Sequence, residues 1–441
     1  MSDLRIDPVT APFSAAITPP GSKSLTNRAL VLAALARGDC VLTNVLFADD
    51  TKVMLDALHG LGFALDVDEA NLAVRVIGQG GRIPASSGEI FCGNSGTTIR
   101  FLAAMLSLGR GTYTLDGVPR MRQRPIGPLV AMLRNLGVRV EHTMEDGFPP
   151  VRITAGGLPG GFVQYGSETS SQYLSAVLMA APYARNEVRV DLVGGQTSWP
   201  YVAMTMQLMD AFGLTPELVR DPQTSQPQQI FIPQHPYAPT TYAIEPDASN
   251  ATYFLAAAAV HPGAKVTIEG LGKRSLQGDV AFADVLHRMG ADLVFGRDFI
   301  TVKGTDTFEP IDVDLSGMPD TAQTLAVACL FASGTSTLRG LHTLRVKETD
   351  RLAALATELK KLGADVDVEG DDALTINPPE GGKLRPASIA TYDDHRMAMS
   401  FAIAGTKSAG VTIENAECVN KTYPSFFADL ERVIRSPKPG A

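Results

Sequence analysis

Six segments of the 441-residue chain place glycine, hydroxyl or acidic side chains at the edge of an apolar run, five of them beside lysine or arginine. In the first, Pro20-Gly21-Ser22-Lys23-Ser24 leads into ALVLAALA, with Arg28 in its first turns. Glycine lets backbone approach a ligand, serine caps a helix, and the N–H groups at a helix start attract phosphate. A capped core helix with two solvated cations has the same pattern. The spacing is not that of a P-loop. In the second, Gly93-Asn94-Ser95-Gly96 precedes Arg100, which suits either an anion-binding nest or an ordinary turn and cap.

The third segment is RMRQRPIG, in which Arg120, Arg122 and Arg124 recur at every second residue. An extended backbone would turn all three to one side for bidentate contact with phosphate or carboxylate; a solvated loop is the alternative. The fourth pairs Ser170-Ser171-Gln172 with Ser198 and Tyr201, hydroxyls able to donate without adding charge or to cap helices. The fifth, RVKETDR, sets Lys347 and Arg351 four residues apart beside Glu348. It reads as a salt-bridged surface helix or as an acid among cations. The sixth is Asp393-Asp394-His395-Arg396, with Lys421 further on.

These segments recur because the chain repeats. A loose unit of sixty to seventy residues runs six times: a polar cap, an apolar helix, a turn, a β-branched strand, an amphipathic helix ending in Leu-Gly or Met-Gly, then a hairpin. The first helix of each copy is apolar nearly all round and is expected to be buried. The second shows one apolar stripe, as with Met54, Ala57, Leu58 and Leu61. Most candidate residues fall at the start of the buried helix in successive copies. The repetition predicts an α/β (α+β) fold. Pro19-Pro20-Gly21 and the Pro- and Gln-rich stretch near residues 221–239 divide the copies three and three. Two lobes with an active-site cleft between them are therefore expected, since ligand sites favour such interfaces.

Composition narrows the class. Hydrophobic residues are 45% and charged residues 19%, which is globular, and a net charge of −9 disfavours nonspecific nucleic-acid binding. The opening MSDLRIDPVTAPF has neither signal nor transit character, so a cytoplasmic protein is expected. Cys40, Cys92, Cys329 and Cys418 are widely spaced, which argues against a zinc site or disulfide framework.

Taken together, PGSKSLTNRALVLAAL, GNSGT, RMRQRPIG, SSQYL, LQGD, RVKETDR, DDHRMAM and KTYPSFF resemble the 5-enolpyruvylshikimate-3-phosphate synthase family from about Ile17 to about Phe427. The resemblance implies two lobes of three β-α-β-α-β-β repeats each, with residues 1–20 plus 240–441 in one lobe and 21–239 in the other. It implies enolpyruvyl transfer from phosphoenolpyruvate to the 5-hydroxyl of shikimate 3-phosphate, by a monomer, with no metal or organic cofactor. By matching positions, Lys23, Ser24, Arg28, Ser170, Ser171, Gln172, Ser198, Tyr201, Asp320, Thr343 and Lys347 fall to shikimate 3-phosphate. Lys23, Asn94, Gly96, Arg124, Gln172, Arg351, His395, Arg396 and Lys421 fall to phosphoenolpyruvate. Asp320 and Glu348 match the acid–base pair, with Lys347 and Lys23 beside the reacting groups.

Two phosphates and two carboxylates bring roughly −5 to −6. Lys23, Arg28, Arg100, Arg124, Lys347, Arg351, Arg396 and Lys421 would balance that charge. Two positions depart from common family patterns: Thr343 stands where asparagine is frequent and Phe101 where proline is. Glyphosate is expected to compete with phosphoenolpyruvate beside Gly96. The alternatives are a UDP-N-acetylglucosamine enolpyruvyl transferase, which usually carries a reactive cysteine where RMRQRPIG has none, and a noncatalytic phosphometabolite-binding paralogue.

Overall fold

The computed structural model describes residues 3–166 and 170–437. Twelve α-helices alternate in character along these residues. The odd-numbered helices are α1 (Lys23–Leu35), α3 (Gly96–Leu106), α5 (Gln172–Ala180), α7 (Ala248–Ala259), α9 (Ala322–Ala328) and α11 (His395–Lys407). The even-numbered ones are α2 (Asp49–Gly60), α4 (Gly127–Asn135), α6 (Trp199–Ala211), α8 (Phe282–Arg288), α10 (Arg351–Lys361) and α12 (Phe426–Ile434). Every residue of α3 and α7 is buried, as an all-round apolar sequence requires. In α2, by contrast, Met54, Ala57 and Leu58 are buried while Lys52, Asp56 and His59 face water.

The chain divides into two compact units, one of residues up to Pro20 together with Glu245 onward, the other Gly21–Ile244. The second crossing lies later than the Pro- and Gln-rich stretch suggests. Thr241–Ala243 pairs in parallel with Arg37–Thr43, and the amide of Asn44 donates to the Ile244 carbonyl, so these residues stay with the second unit.

Among the described residues each unit holds three small sheets. Five sheets have four strands with one plan: a parallel pair, then two antiparallel neighbours. Ser87–Phe91, Arg110–Asp116, Val151–Gly156 and Arg139–His142 form one such sheet. The parallel pair spans a buried helix and the antiparallel pair an amphipathic one, so the β-α-β-α-β-β unit is realised directly. Two copies borrow their first strand from a distant part of the chain. Thr241–Ala243 completes the first copy, and Ser14–Ile17 completes the fourth by pairing with Lys265–Glu269. The sixth sheet has three strands, with Leu4–Arg5 joining Val411–Ile413 where the other copies place a hairpin.

The buried helices pack on one another inside each unit: α1 on α3 and α3 on α5 in one, α7, α9 and α11 mutually in the other. Leu25, Leu30, Leu32 and Leu35 of α1 are wholly inaccessible, each contributing about 1.5–3 kcal/mol of burial. A helix enclosed this way can show polar side chains only at its ends, so caps and charges collect at the N-termini. Ser22, Ser95, Asp247 and Asp394 each accept a backbone N–H there. No helix among the described residues is long and apolar enough to cross a membrane.

Candidate active site

In the second unit the N-termini of α1 and α3, the turn before α4 and the start of α5 bring four cations together. Lys23 is mostly buried and lies 3.2 Å from the Asp50 carboxylate at the start of α2. Arg124 is 3% exposed and donates through one Nη1 to the carbonyl (2.9 Å) and side-chain oxygen (3.1 Å) of Asn94. Arg100 donates to Gln172 Oε1 at 2.7 Å and to the Pro125 carbonyl at 3.0 Å, over the ring of Tyr173. Gly96 opens α3 beside both guanidinium groups; a Cβ there would lie 2.6 Å from Arg124 Nη2 and 3.1 Å from Arg100 Nη1. Any side chain here would press on these guanidinium groups, while the backbone angle itself does not call for glycine.

Arg28 is 1% exposed. It donates to Thr205 Oγ1 (2.7 Å), the Ser24 carbonyl (2.9 Å), Ser175 Oγ (3.3 Å) and the Tyr201 carbonyl (3.4 Å). The Phe101 ring lies 5.0 Å from its guanidinium carbon. These partners are neutral, and burial lowers its pKa to about 10. Ser24 and Tyr201 therefore meet Arg28 through their carbonyls. Ser171 and Ser198 head α5 and α6 without capping them through their side chains, and Ser198 is held at φ +53°. The Ser170 hydroxyl accepts the Gln172 N–H at 3.3 Å.

RMRQRPIG is not extended. Met121–Gln123 forms a 3-10 turn, so its arginines do not share a side: Arg122 pairs with Asp116 on the surface while Arg124 turns inward.

In the first unit one guanidinium gathers three carboxylates. Arg351, 1% exposed at the start of α10, donates to Asp394 (2.7 and 3.2 Å), to Glu348 Oε2 (2.9 Å) and to Asp320 Oδ1 (3.2 Å). Burial opposes its charge, but the carboxylates of Asp394, Glu348 and Asp320 outweigh burial and raise its pKa. Asp320 also receives Arg396 Nη2 at 2.9 Å and lies 3.5 Å from Lys347 Nζ. Lys421 Nζ stands 4.0 Å from Glu348 Oε1. His395 is fully buried, with Nδ1 3.7 Å from Asp394. Thr343 is 2% exposed, and its hydroxyl has no hydrogen-bond partner among the described residues.

RVKETDR does not form one helix face. Lys347 follows the 3-10 turn His342–Val346, and Asp350 caps α10, which begins at Arg351. Lys347 and Arg351 meet instead through Asp320, which no spacing argument within the segment contains.

The family profile for EPSP synthase (3-phosphoshikimate 1-carboxyvinyltransferase) matches residues 9–430. The chain belongs to the EPSP synthase family. It is 45% identical over 436 residues to the 3-phosphoshikimate 1-carboxyvinyltransferase of Sulfurovum sp. (strain NBC37-1), covering 98% of this chain and 99% of that protein. It is 45% identical over 440 residues to that of Escherichia coli O127:H6, covering 99% and 100%. The EPSP synthase structure from Acinetobacter baumannii superposes with a TM-score of 0.79 at 29% identity, over 98% of each chain. The enolpyruvyl transferase NikO from Streptomyces tendae shares the fold at 19% identity, with a TM-score of 0.73 over 98% of this chain and 97% of that one.

Several residues at this EPSP synthase family member's site carry weak sequence signals. Asp50 sits in an ordinary amphipathic helix start, yet its carboxylate pairs with Lys23 and its carbonyl accepts from Ser95 and Asn27. Asp279, within LQGD, is buried and accepts from Ser249. Burial and the neighbouring Asp320 raise its pKa to about 6. Tyr253, inside α7, lies 3.3 Å from Arg396 Nη1. Phe101 lies within α3, which Ser95 caps, and its ring packs on Arg28. Cys92 is wholly buried and its thiol is pushed well up by burial, which makes it a poor nucleophile.

Proposed function

We propose that this chain transfers the enolpyruvyl group of phosphoenolpyruvate to the 5-hydroxyl of shikimate 3-phosphate, releasing phosphate. The observation that carries the chemistry is the Arg351 cluster. It holds two carboxylates, Asp320 and Glu348, on separate nitrogens of one guanidinium, within reach of Lys347, Arg396 and Lys421. The reaction needs a base for the acceptor hydroxyl and an acid for C3 of phosphoenolpyruvate. In this reading Asp320 takes the hydroxyl proton as the oxygen attacks C2, and Glu348, with Lys347, supplies the proton to C3. The tetrahedral adduct then returns a C3 proton to Glu348 as the C2–O bond to phosphate breaks and the double bond re-forms, the departing phosphate taking up the proton held by Asp320.

The second unit supplies charge. Lys23, Arg28, Arg100 and Arg124 gather at its helix starts, with Lys23 3.2 Å from Asp50. Clustered cations suit substrates carrying several negative charges. In this reading Lys23, Asn94, Gly96, Arg124, Gln172, Arg351, His395, Arg396 and Lys421 serve phosphoenolpyruvate. Lys23, Ser24, Arg28, Ser170, Ser171, Gln172, Ser198, Tyr201, Asp320, Thr343 and Lys347 serve the acceptor, the Thr343 hydroxyl replacing an asparagine contact. In this reading the chain works as a cytoplasmic monomer. Phosphate release from phosphoenolpyruvate tests the reading. It should require shikimate 3-phosphate, fail with UDP-N-acetylglucosamine, and vanish in Glu348→Gln. Release with the nucleotide sugar alone would overturn it.

A further inference from the structure

The start of α11, which presents His395 and Arg396, is reached through two consecutive left-handed residues. Tyr392 has φ +56° and Asp393 φ +54°, and neither is glycine. L side chains avoid this region because Cβ approaches the following carbonyl. Such a pair persists only when its surroundings over-determine it.

The surroundings do so from α10. Arg351 and Glu358 lie two turns apart on that helix and so share a face. Arg351 grips Asp394 with two hydrogen bonds. Glu358, fully buried, accepts the Tyr392 hydroxyl at 2.7 Å through Oε1 and the Ala390 N–H at 3.1 Å through Oε2. Lys361 Nζ lies 2.7 Å from the same Oε2 and also donates to the Ser388 carbonyl at 3.2 Å. On the far side Asn415 Nδ2, itself on a residue at φ +48°, donates to Asp393 Oδ1 at 2.6 Å. Residues 390–394 are thus held at both ends by one helix. One buried carboxylate thus takes a phenol, a backbone amide and the Lys361 ammonium together, and so ties this stretch to α10.

We propose that Glu358 is a positioning residue, which through Tyr392 locks the left-handed turn that aims His395 and Arg396. The inference deepens the proposed function and rests on those two residues serving it. Glu358 and Tyr392 touch no reacting atom. They fix the backbone from which Arg396 reaches Asp320.

A pair of variants separates strain from lost contact. Tyr392→Ala and Tyr392→Gly both remove the phenol, but only alanine keeps the Cβ that opposes positive φ. With the left-handed cost set free, Tyr392→Ala should raise KM for phosphoenolpyruvate about five- to thirty-fold. KM for shikimate 3-phosphate should change little. Tyr392→Gly should recover most of the loss, and should also rescue Glu358→Gln in the double variant. Amide hydrogen exchange across residues 390–397 should rise in Tyr392→Ala and in Glu358→Gln and stay near wild type in Tyr392→Gly. Equal behaviour of the alanine and glycine variants in exchange, or a Glu358→Gln enzyme altered only in Tm, would overturn the proposal. Exchange reads the turn directly. An inactive wild type would therefore count against the proposed reaction alone, while the exchange pattern still decides whether Glu358 holds the turn.

Discussion

Replacing Arg351 by methionine should expose how the carboxylate cluster is held. Methionine keeps the aliphatic stem, so packing is largely preserved, but Asp394, Glu348 and Asp320 lose the guanidinium that binds all three. Asp394 and Arg351 are almost wholly inaccessible, so water cannot replace the lost partner. Removing one member of a buried ion pair costs about 3–5 kcal/mol, which for a unit of this size lowers its Tm by roughly 6–20 °C. The cost should depend on pH. Without their cation, buried carboxyls acquire raised pKa values, as Asp279 shows at about 6. A carboxyl with a raised folded pKa binds its proton more tightly folded than unfolded. Stability therefore recovers as pH falls through that pKa toward the ordinary value near 4. Scanning calorimetry of wild type and Arg351→Met should show the deficit largest at about pH 8 and shrinking toward about pH 5. A deficit below about 1 kcal/mol, or one unchanged across that range, would refute the reasoning.

Asp279→Asn keeps an acceptor for Ser249 and removes a charge that burial and Asp320 disfavour, so it should stabilise the protein by about 1–3 kcal/mol above pH 6. The gain should fade as pH drops to the ordinary carboxylate range, and denaturation midpoints that are unchanged at neutral pH would contradict it. Phe101→Leu removes the aromatic face under Arg28, which should raise KM for shikimate 3-phosphate about two- to thirty-fold and leave that for phosphoenolpyruvate nearly unchanged. The reverse pattern in steady-state kinetics would place the ring's influence on Gly96 instead. Gly96→Ala drives a methyl group against Arg124, whose Nη1 is anchored on Asn94, so KM for phosphoenolpyruvate should rise between about tenfold and a hundredfold. Glyphosate should compete with phosphoenolpyruvate in the wild type and bind more weakly to Gly96→Ala; inhibition indifferent to phosphoenolpyruvate concentration would rule out a shared site.

What the sequence made legible was periodic. The alternation of wholly apolar and striped helices is a local property of the chain, and it reappears in the burial of α3 and α7 against the half-exposed α2. A wholly apolar helix has only its ends on which to carry polarity, which is why Lys23, Gly96, Gln172 and Arg396 could be picked out as helix-start residues. The borrowed strands were not legible. Three residues, Thr241–Ala243, carry too little pattern to announce a partner two hundred positions away at Arg37–Thr43. Nor could spacing give the side-chain partners. Lys347 and Arg351 are brought together by Asp320, some thirty residues earlier, and Arg122 and Arg124 are parted by a single 3-10 turn. The residue pattern leaves Arg28 open between a ligand cation and a solvated one, and its burial shows only in its neighbours Thr205, Ser175 and the face of Phe101. A buried charge is recognisable only from what surrounds it, and those contacts lie far along the chain. The same reasoning explains why Glu358 escapes notice in ATELKK: its role follows from two backbone angles at Tyr392 and Asp393, a strain that residue types alone do not disclose.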